Sequence, residues 1–532
     1  MKPEIVRSLC LILCFLCLLA AIPTPAFAAP PAVTYLFPAG VQRGSTVEVT
    51  ATGTLDPWPA KVWINQPGLT VTAAKDKGKF KVTAAADAAP GVYWLRAHNA
   101  DGASPLRPFV VGTLPEVADK EPNDEPAQAQ PVTGPGVVVN GQLAKAGDVD
   151  GFAVALKAGQ TVVASVEANG GLKSPMDGVL QVVAPGGFVA EQNHDRRGID
   201  PQLAFTAPPD ASIRLSGGDA YVYRLTLTTA GFADHALPLA VGPDGGPVRA
   251  VGWNVPDAAK QIEVPKGPPG LTDVFHPLLG STLRVRRETV PVIDATATAQ
   301  KALAPPFALT GRLEKAAFEV AVAGKKGQAL AVQAESRGFG LDVNPVGRVA
   351  GPDGKQLARA EPGKLHSDTT LSFTPPADGE YTVTVSDLYG TAGPRGVFLL
   401  KVAAPEPDYE LTVPADRVAV PPGKSIDVAV KVARKTGFTK PVEVVAEGLP
   451  EGVKLETKAP AGKADPNVVT VTLSAEKAGV AGSFRLVGRV SGEPALERVA
   501  RAPNGEFDEP TPDLWVTVND TPVSAQPKKK KR

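Results

Sequence analysis

The chain has 532 residues, 43% hydrophobic and 6% aromatic, with Gly 53 and Pro 54 together making a fifth of it. Lysine plus arginine and aspartate plus glutamate are 55 each, so overall charge offers no case for nucleic acid. This composition excludes a low-complexity disordered chain and a transmembrane bundle, and it fits about three to five domains of short elements joined by turns.

Residues 1–28 read as a cleaved export signal. Lys2 and Arg7 precede an apolar run from Leu9 to Ala21, and Ala26-Phe27-Ala28 supplies the small-x-small pattern, placing the cut after Ala28. The run has 13 residues, short of the roughly 20 that span a bilayer, although an uncleaved anchor is the alternative. Cys10, Cys14 and Cys17 all lie inside it, so the mature chain is free of cysteine. A lipoprotein signal would want a small residue before its cysteine, and Leu13 and Leu16 stand there instead. The product is expected to be exported, to periplasm, surface or medium, with no transmembrane anchor in the mature chain.

The mature chain reads as β throughout. Alternation marks Thr46 to Thr50, Tyr381 to Val385 and Leu514 to Val518, and it puts Ile426, Val428, Val430 and Val432 on one face with Asp427 and Lys431 on the other. Turn signals such as Pro90-Gly91, Asp101-Gly102 and Asp353-Gly354 separate these runs. The expectation is an all-β fold, tandem β-sandwich or jelly-roll domains arranged as a string. An internal repeat is visible as well. Gly141-Gln142-Leu143 answers Gly311-Arg312-Leu313, Gly159-Gln160 answers Gly327-Gln328, and Leu203 to Pro208 answers Leu371 to Pro376. The predicted domains are 29–116, 117–230 (copy one), a small β segment at 231–305, 306–403 (copy two) and 408–520, followed by a basic tail at 521–532. Linkers are expected at 117–131, 293–306 and 403–408.

Glu121-Pro122-Asn123-Asp124, Gly141-x-Leu143 and Asp148-Val149-Asp150-Gly151-Phe152, with Asp200-Pro201-x-Leu203 further on, resemble the bacterial pre-peptidase C-terminal (PPC) domain over residues 118–230. Residues 306–403 resemble a second, diverged copy. Residues 30–113 resemble IPT/TIG-type immunoglobulin-like domains, and Gly448-Leu449-Pro450-Glu451-Gly452-Val453 resembles bacterial immunoglobulin-like modules. The PPC resemblance implies a jelly-roll-like sandwich attached to secreted peptidases or large exported surface proteins. It also implies calcium at the matching acidic positions.

The residues point the same way. Glu121, Asn123, Asp124, Asp148 and Asp150 offer only oxygen donors, suited to a hard cation. Asp148 and Asp150 stand two apart, which aims both to one side of an extended backbone. The competing reading is a solvated acidic linker beside a polar turn. In copy two the matching stretch is read as Glu314-Lys315-Ala316-Ala317-Phe318 and the linker as Asp294 to Thr298, so that copy is expected not to bind calcium this way.

The search for catalytic patterns is negative. His98, His194, His235, His276 and His366 are far apart, and there is no H-E-x-x-H, no G-x-S-x-G and no cysteine nucleophile. Gly423-Lys424-Ser425 lacks the earlier glycine of a phosphate loop, since Val418 stands there. Tyr221 and Tyr223 share a face and are candidate ligand-binding rings, with sandwich core as the alternative. The expected function is a non-catalytic exported binding or scaffold protein for an envelope or extracellular protein or polysaccharide. The alternative is an accessory subunit of a separate secreted peptidase, or an unrecognised hydrolase. The Lys528 to Arg532 block is a basic appendage on a mildly acidic body.

Overall fold

The computed structural model describes residues 29–519, apart from 185, 207–211, 219–220, 297–301, 364–366, 459–464 and 505–506. The expected export segment at 1–28 with its cysteines, the expected basic tail and His366 lie outside the described residues. No helix among the described residues is long and apolar enough to cross a membrane.

Nearly every regular element is a strand, and the alternation says why. In Lys424–Lys435, Val428, Val430 and Val432 are buried and Ile426 packs on the same core, while the residues between them face outward. Tyr381, Val383 and Val385 do the same in Gly379–Asp387. Burying one face of a strand against a second sheet removes its apolar side chains from water at about 25 cal/mol per Å2, and five such sandwiches follow one another along the chain.

The first module stacks Ala32–Phe37, Thr46–Thr54, Lys79–Ala84 and Leu69–Ala73 on Gly40–Gln42, Arg107–Gly112, Gly91–Asn99 and Lys61–Ile64. In the second, one sheet runs Glu116–Ala118, Gly136–Leu143, Tyr221–Thr228, Thr161–Glu167, Gln202–Thr206. The other runs Gln130–Val132, Val149–Val154, Ser212–Ser216, Val179–Val183, Val189–Asn193. The third, spanning residues 232–287, is two three-stranded sheets with a core of its own. The fourth repeats the second, and the fifth stacks two further sheets between Asp408 and Val518.

The second and fourth modules share topology strand for strand, except that an isolated bridge from Leu303 to Val322 stands where Gln130–Val132 pairs with Val149–Val154. Val292–Asp294 pairs parallel with Phe307–Arg312, as Glu116–Ala118 pairs parallel with Gly136–Leu143. Residues 292–294 and Leu303, which bridges to Val322, therefore belong to the fourth module, and the expected boundary at 306 moves back. Likewise, the expected linker at 117–131 lies within the second module. Its two ends are strands of opposite sheets, and residues 119–129 cross from one sheet to the other.

Pairing register also corrects the copy-two alignment by two residues. Phe152 faces Ile213, which faces Val182; Val320 faces Val383, which faces Val349; and both Val182 and Val349 precede a bulge. Val320 thus answers Phe152, and Phe318 answers Asp150.

The shared glycine of the repeat has a steric cause. A Cβ on Gly141 would lie 2.1 Å from the Tyr223 ring, and one on Gly311 would lie 2.4 Å from the Phe398 ring. In each copy an aromatic ring covers a glycine on the neighbouring strand. Gly311→Ala is expected to cost at least about 2–3 kcal/mol by overpacking, to be read by urea denaturation of the variant.

The modules are packed against one another. Ala39 and Val110 of the first meet Leu172 and Val222 of the second, and Leu237 and Leu239 of the third meet Phe339, Leu341 and Leu399 of the fourth. The last module returns to the first. Arg96 donates to Asp416 at 2.8 Å with both side chains almost wholly buried, and Arg417 donates to the Ala103 carbonyl at 3.0 Å. Trp515 lies against His98 at 4.7 Å and Trp63 at 6.5 Å between ring centroids. This explains why all five residues of Leu514–Val518 are buried despite their alternation: the outer face of that strand is covered by the first module.

Candidate functional site

The 119–129 crossing brings its acidic residues over the start of Val149–Val154. Gln130 fastens its beginning, accepting from the Lys120 N–H at 2.8 Å and donating to the Ala118 carbonyl at 3.1 Å. Arg214 holds it from the strand beneath, donating to the Asp124 carbonyl at 2.9 Å. Close approach requires Gly151, because a Cβ there would lie 2.7 Å from the Asn123 carbonyl oxygen.

Two sets of carboxylates result. Oxygens of Asp119, Glu121 and Asp150 lie within 4.8 Å of one another, as do those of Glu121, Asp124 and Asp148, so Glu121 belongs to both. The structure thus gathers all four acidic residues expected from the sequence. Asp148 and Asp150 do point to one side, each into a different set.

Asp119 is the residue that sequence reasoning missed. It stands two before Glu121, the same spacing that singled out Asp148 and Asp150, and its backbone N–H continues the sheet by donating to the Asn140 carbonyl at 2.9 Å. Asn123, wholly buried, is engaged within the protein: its Nδ2 donates to Asp119 Oδ1 at 2.6 Å, and its Oδ1 accepts from the Gly151 N–H at 3.4 Å. It therefore orients Asp119 and the crossing.

The electrostatics are unfavourable without a cation. None of the five carboxylates has an ion pair with a lysine, arginine or histidine among the described residues. Asp150 is inaccessible to solvent; Tyr223 donates to its Oδ2 at 2.5 Å, and its Oδ1 has no partner. Asp124 Oδ1 is likewise buried without one. Burial pushes the Asp150 carboxyl up to about 8; the Tyr223 hydrogen bond opposes this, and the charges of Asp119, Glu121 and Asp148 add to it. Burial and the Glu121 charge raise Asp119 to about 6. At neutral pH the cluster must hold a proton or bind a cation. All-oxygen donors with two unpartnered buried oxygens fit a hard divalent ion such as calcium.

Tyr223 is not a ligand-facing ring. It is wholly buried under Gly141 with its hydroxyl on Asp150, and Tyr221 packs against the same core. Their shared face is the sandwich interior.

The fourth module has the same frame without the charges. Its Ala295 N–H donates to Thr310 as Asp119 does to Asn140, so Ala295 answers Asp119. Phe318 and Phe398, 5.4 Å apart and edge-on, take the places of Asp150 and Tyr223. By contrast, Asp200 accepts the Gly170 N–H at 2.8 Å and Asp368 accepts the Gly338 N–H at 3.0 Å. This aspartate caps a backbone turn in both copies and has no part in the cluster.

The described histidines do not converge. His98 packs on Trp515, and His276 Nδ1 accepts from the Leu278 N–H at 3.2 Å. His235 lies 2.9 Å from Asp234, whose other oxygen binds Arg395 of the fourth module.

No family model matches the chain, and no curated protein matches it. Solved structures do. The S-layer protein rSbsC is 12% identical over 93% of this chain and 55% of its own, with a TM-score of 0.15. SGBP-B from a xyloglucan utilization locus of Bacteroides uniformis is 10% identical over 38% of this chain and 73% of its own, at 0.15. Fibronectin(III)-like modules of Clostridium thermocellum CbhA are 13% identical over 38% of this chain and 94% of theirs, at 0.11. The chain thus spans about half the S-layer protein. Overlays at these scores place no constraint on function, and the PPC resemblance rests on its motifs.

Proposed function

We propose that this chain is an exported, non-catalytic binding or scaffold protein of the cell envelope or extracellular space, whose second module is held rigid by calcium. The observation that supports it is the convergence of five carboxylates, one of them inaccessible to solvent, with no basic side chain paired to them among the described residues. Asp119, Glu121 and Asp150 would hold the ion on one side, and Asp124 and Asp148 on the other. Calcium supplies the positive charge the cluster lacks.

The position of the cluster matters for a scaffold. Residues 113–115 alone separate the last strand of the first module from Glu116–Ala118, and the carboxylate-bearing crossing follows directly. A cation there fixes the crossing to both sheets next to the junction, where a bare Gly/Pro linker would leave freedom. The partner expected is a protein or polysaccharide of the envelope or medium, with a separate secreted peptidase as one such partner.

The test is retention of partners from envelope and secretome extract on residues 29–532, with calcium and with chelator. A specific partner held in calcium, and lost from Asp148→Ala/Asp150→Ala, is the expected result. Substrate turnover by the purified chain itself would contradict the reading.

A further inference from the structure

The first four modules meet around a cavity of about 680 Å3, within the range of small-ligand sites. Its wall takes Trp94 from the first module, Arg197 and Glu167 from the second, Arg284 from the third and Arg337 from the fourth. Five cationic side chains line it, against three carboxylates.

Most of these charges are answered within the protein. Arg224 lies between Glu116 and Glu167, and Arg284 donates to Asp273 at 3.0 Å. Asp200 is occupied by the backbone N–H groups of residues 168–170. Arg337 donates to the Leu341 carbonyl at 3.0 Å. Arg197 differs: it is half-buried, and its guanidinium has no hydrogen-bond or ion-pair partner among the described residues. Gly340 lies beside it: a Cβ there would be 3.7 Å from Arg197 Nη2, an ordinary contact.

We propose that this cavity binds a small polyanion, a molecule carrying at least two carboxylate or phosphate groups, with Arg197 as its main anchor. A guanidinium presents a planar fork of donors matched to such groups, and it is strongest where water is partly excluded. Burial lowers the Arg197 proton affinity; the charges of Asp234 and Glu167 oppose this, and those of Arg395 and Arg284 add to it. An anion at Arg197 also lies within reach of a wall built from four modules, so its binding ties their relative positions together. The site is separate from the carboxylate cluster and does not depend on calcium.

The test is calorimetric titration of residues 29–532 with pyrophosphate and with citrate, at fixed ionic strength and in chelator, so that calcium plays no part. Saturable binding of at least one probe is expected, weakened tenfold or more in Arg197→Ala and less in Arg197→Lys. The preference between probes tells phosphate from carboxylate. The Arg197 backbone pairs with Asp200, but its guanidinium has no partner among the described residues, so Arg197→Ala is expected to unfold at the parent temperature without ligand. Absence of binding by both probes at millimolar concentration, or equal affinity in Arg197→Ala, would overturn the proposal.

Discussion

In chelator, the second module is expected to lose several kcal/mol of stability as pH rises from 5 to 8.5, and calcium is expected to restore it at the upper end alone. The sign follows from Asp150. Its carboxyl titrates at about 8 in the folded chain and near 3.9 when unfolded. Between those values the folded state keeps a proton that the unfolded state has released, so stability falls as pH rises. The contribution is whole below about pH 4 and gone above about pH 8, at about 1.4 kcal/mol per unit of displacement. Asp119, raised to about 6, adds in the same direction over a narrower window.

Asp150→Asn separates charge from shape. It keeps an oxygen for the Tyr223 hydroxyl and removes the titrating group. In chelator at pH 8 this variant is expected to be several kcal/mol more stable than the parent, near pH 4 nearly equal, and at both it should respond weakly to calcium. Five modules need not unfold together, so the readout is hydrogen exchange of the amides in Val149–Val154. A pH dependence unchanged in Asp150→Asn would show that another group is responsible.

Asp416→Ala should unseat the last module from the first, at a cost of about 3–5 kcal/mol. It leaves Arg96 charged and buried, and Arg96 Nη1 already has no partner. Burial lowers the Arg96 proton affinity even with Asp416 in place. Arg96→Ala should cost less, because Asp416 keeps Arg417, whose Nε lies 3.3 Å from its other oxygen. Replacing both by apolar residues of similar volume should restore most of the loss. Small-angle scattering reads the undocking as an increase in radius of gyration. Equal effects of the two single variants would contradict this account of the pair.

The fold was legible where one period governed a strand. Ile426 to Val432 and Tyr381 to Val385 show their buried faces in the sequence, and the repeat announced itself through Gly141 and Gly311. What stayed hidden depended on long-range packing. The burial of Trp515 and Thr517 comes from a module more than 400 residues earlier in the chain, which no local pattern reports. Tyr221 and Tyr223 have strand periodicity, but periodicity names a shared face without telling interior from surface. The acidic cluster was half legible: spacing marked Asp148 and Asp150, whereas Asp119 needed the parallel strand at 116–118 to bring it opposite. The two-residue shift in copy two had the same origin, since a shared Phe suggested one alignment and strand pairing set another.

The most direct test of the central claim is calorimetric titration of chelator-stripped residues 29–532 with calcium at pH 7.5, beside Asp148→Ala/Asp150→Ala. The account predicts saturable binding with proton release from the parent, as the ion displaces the Asp150 proton into solvent, and neither from the variant. Binding of equal strength in both proteins, or none in the parent, would contradict it.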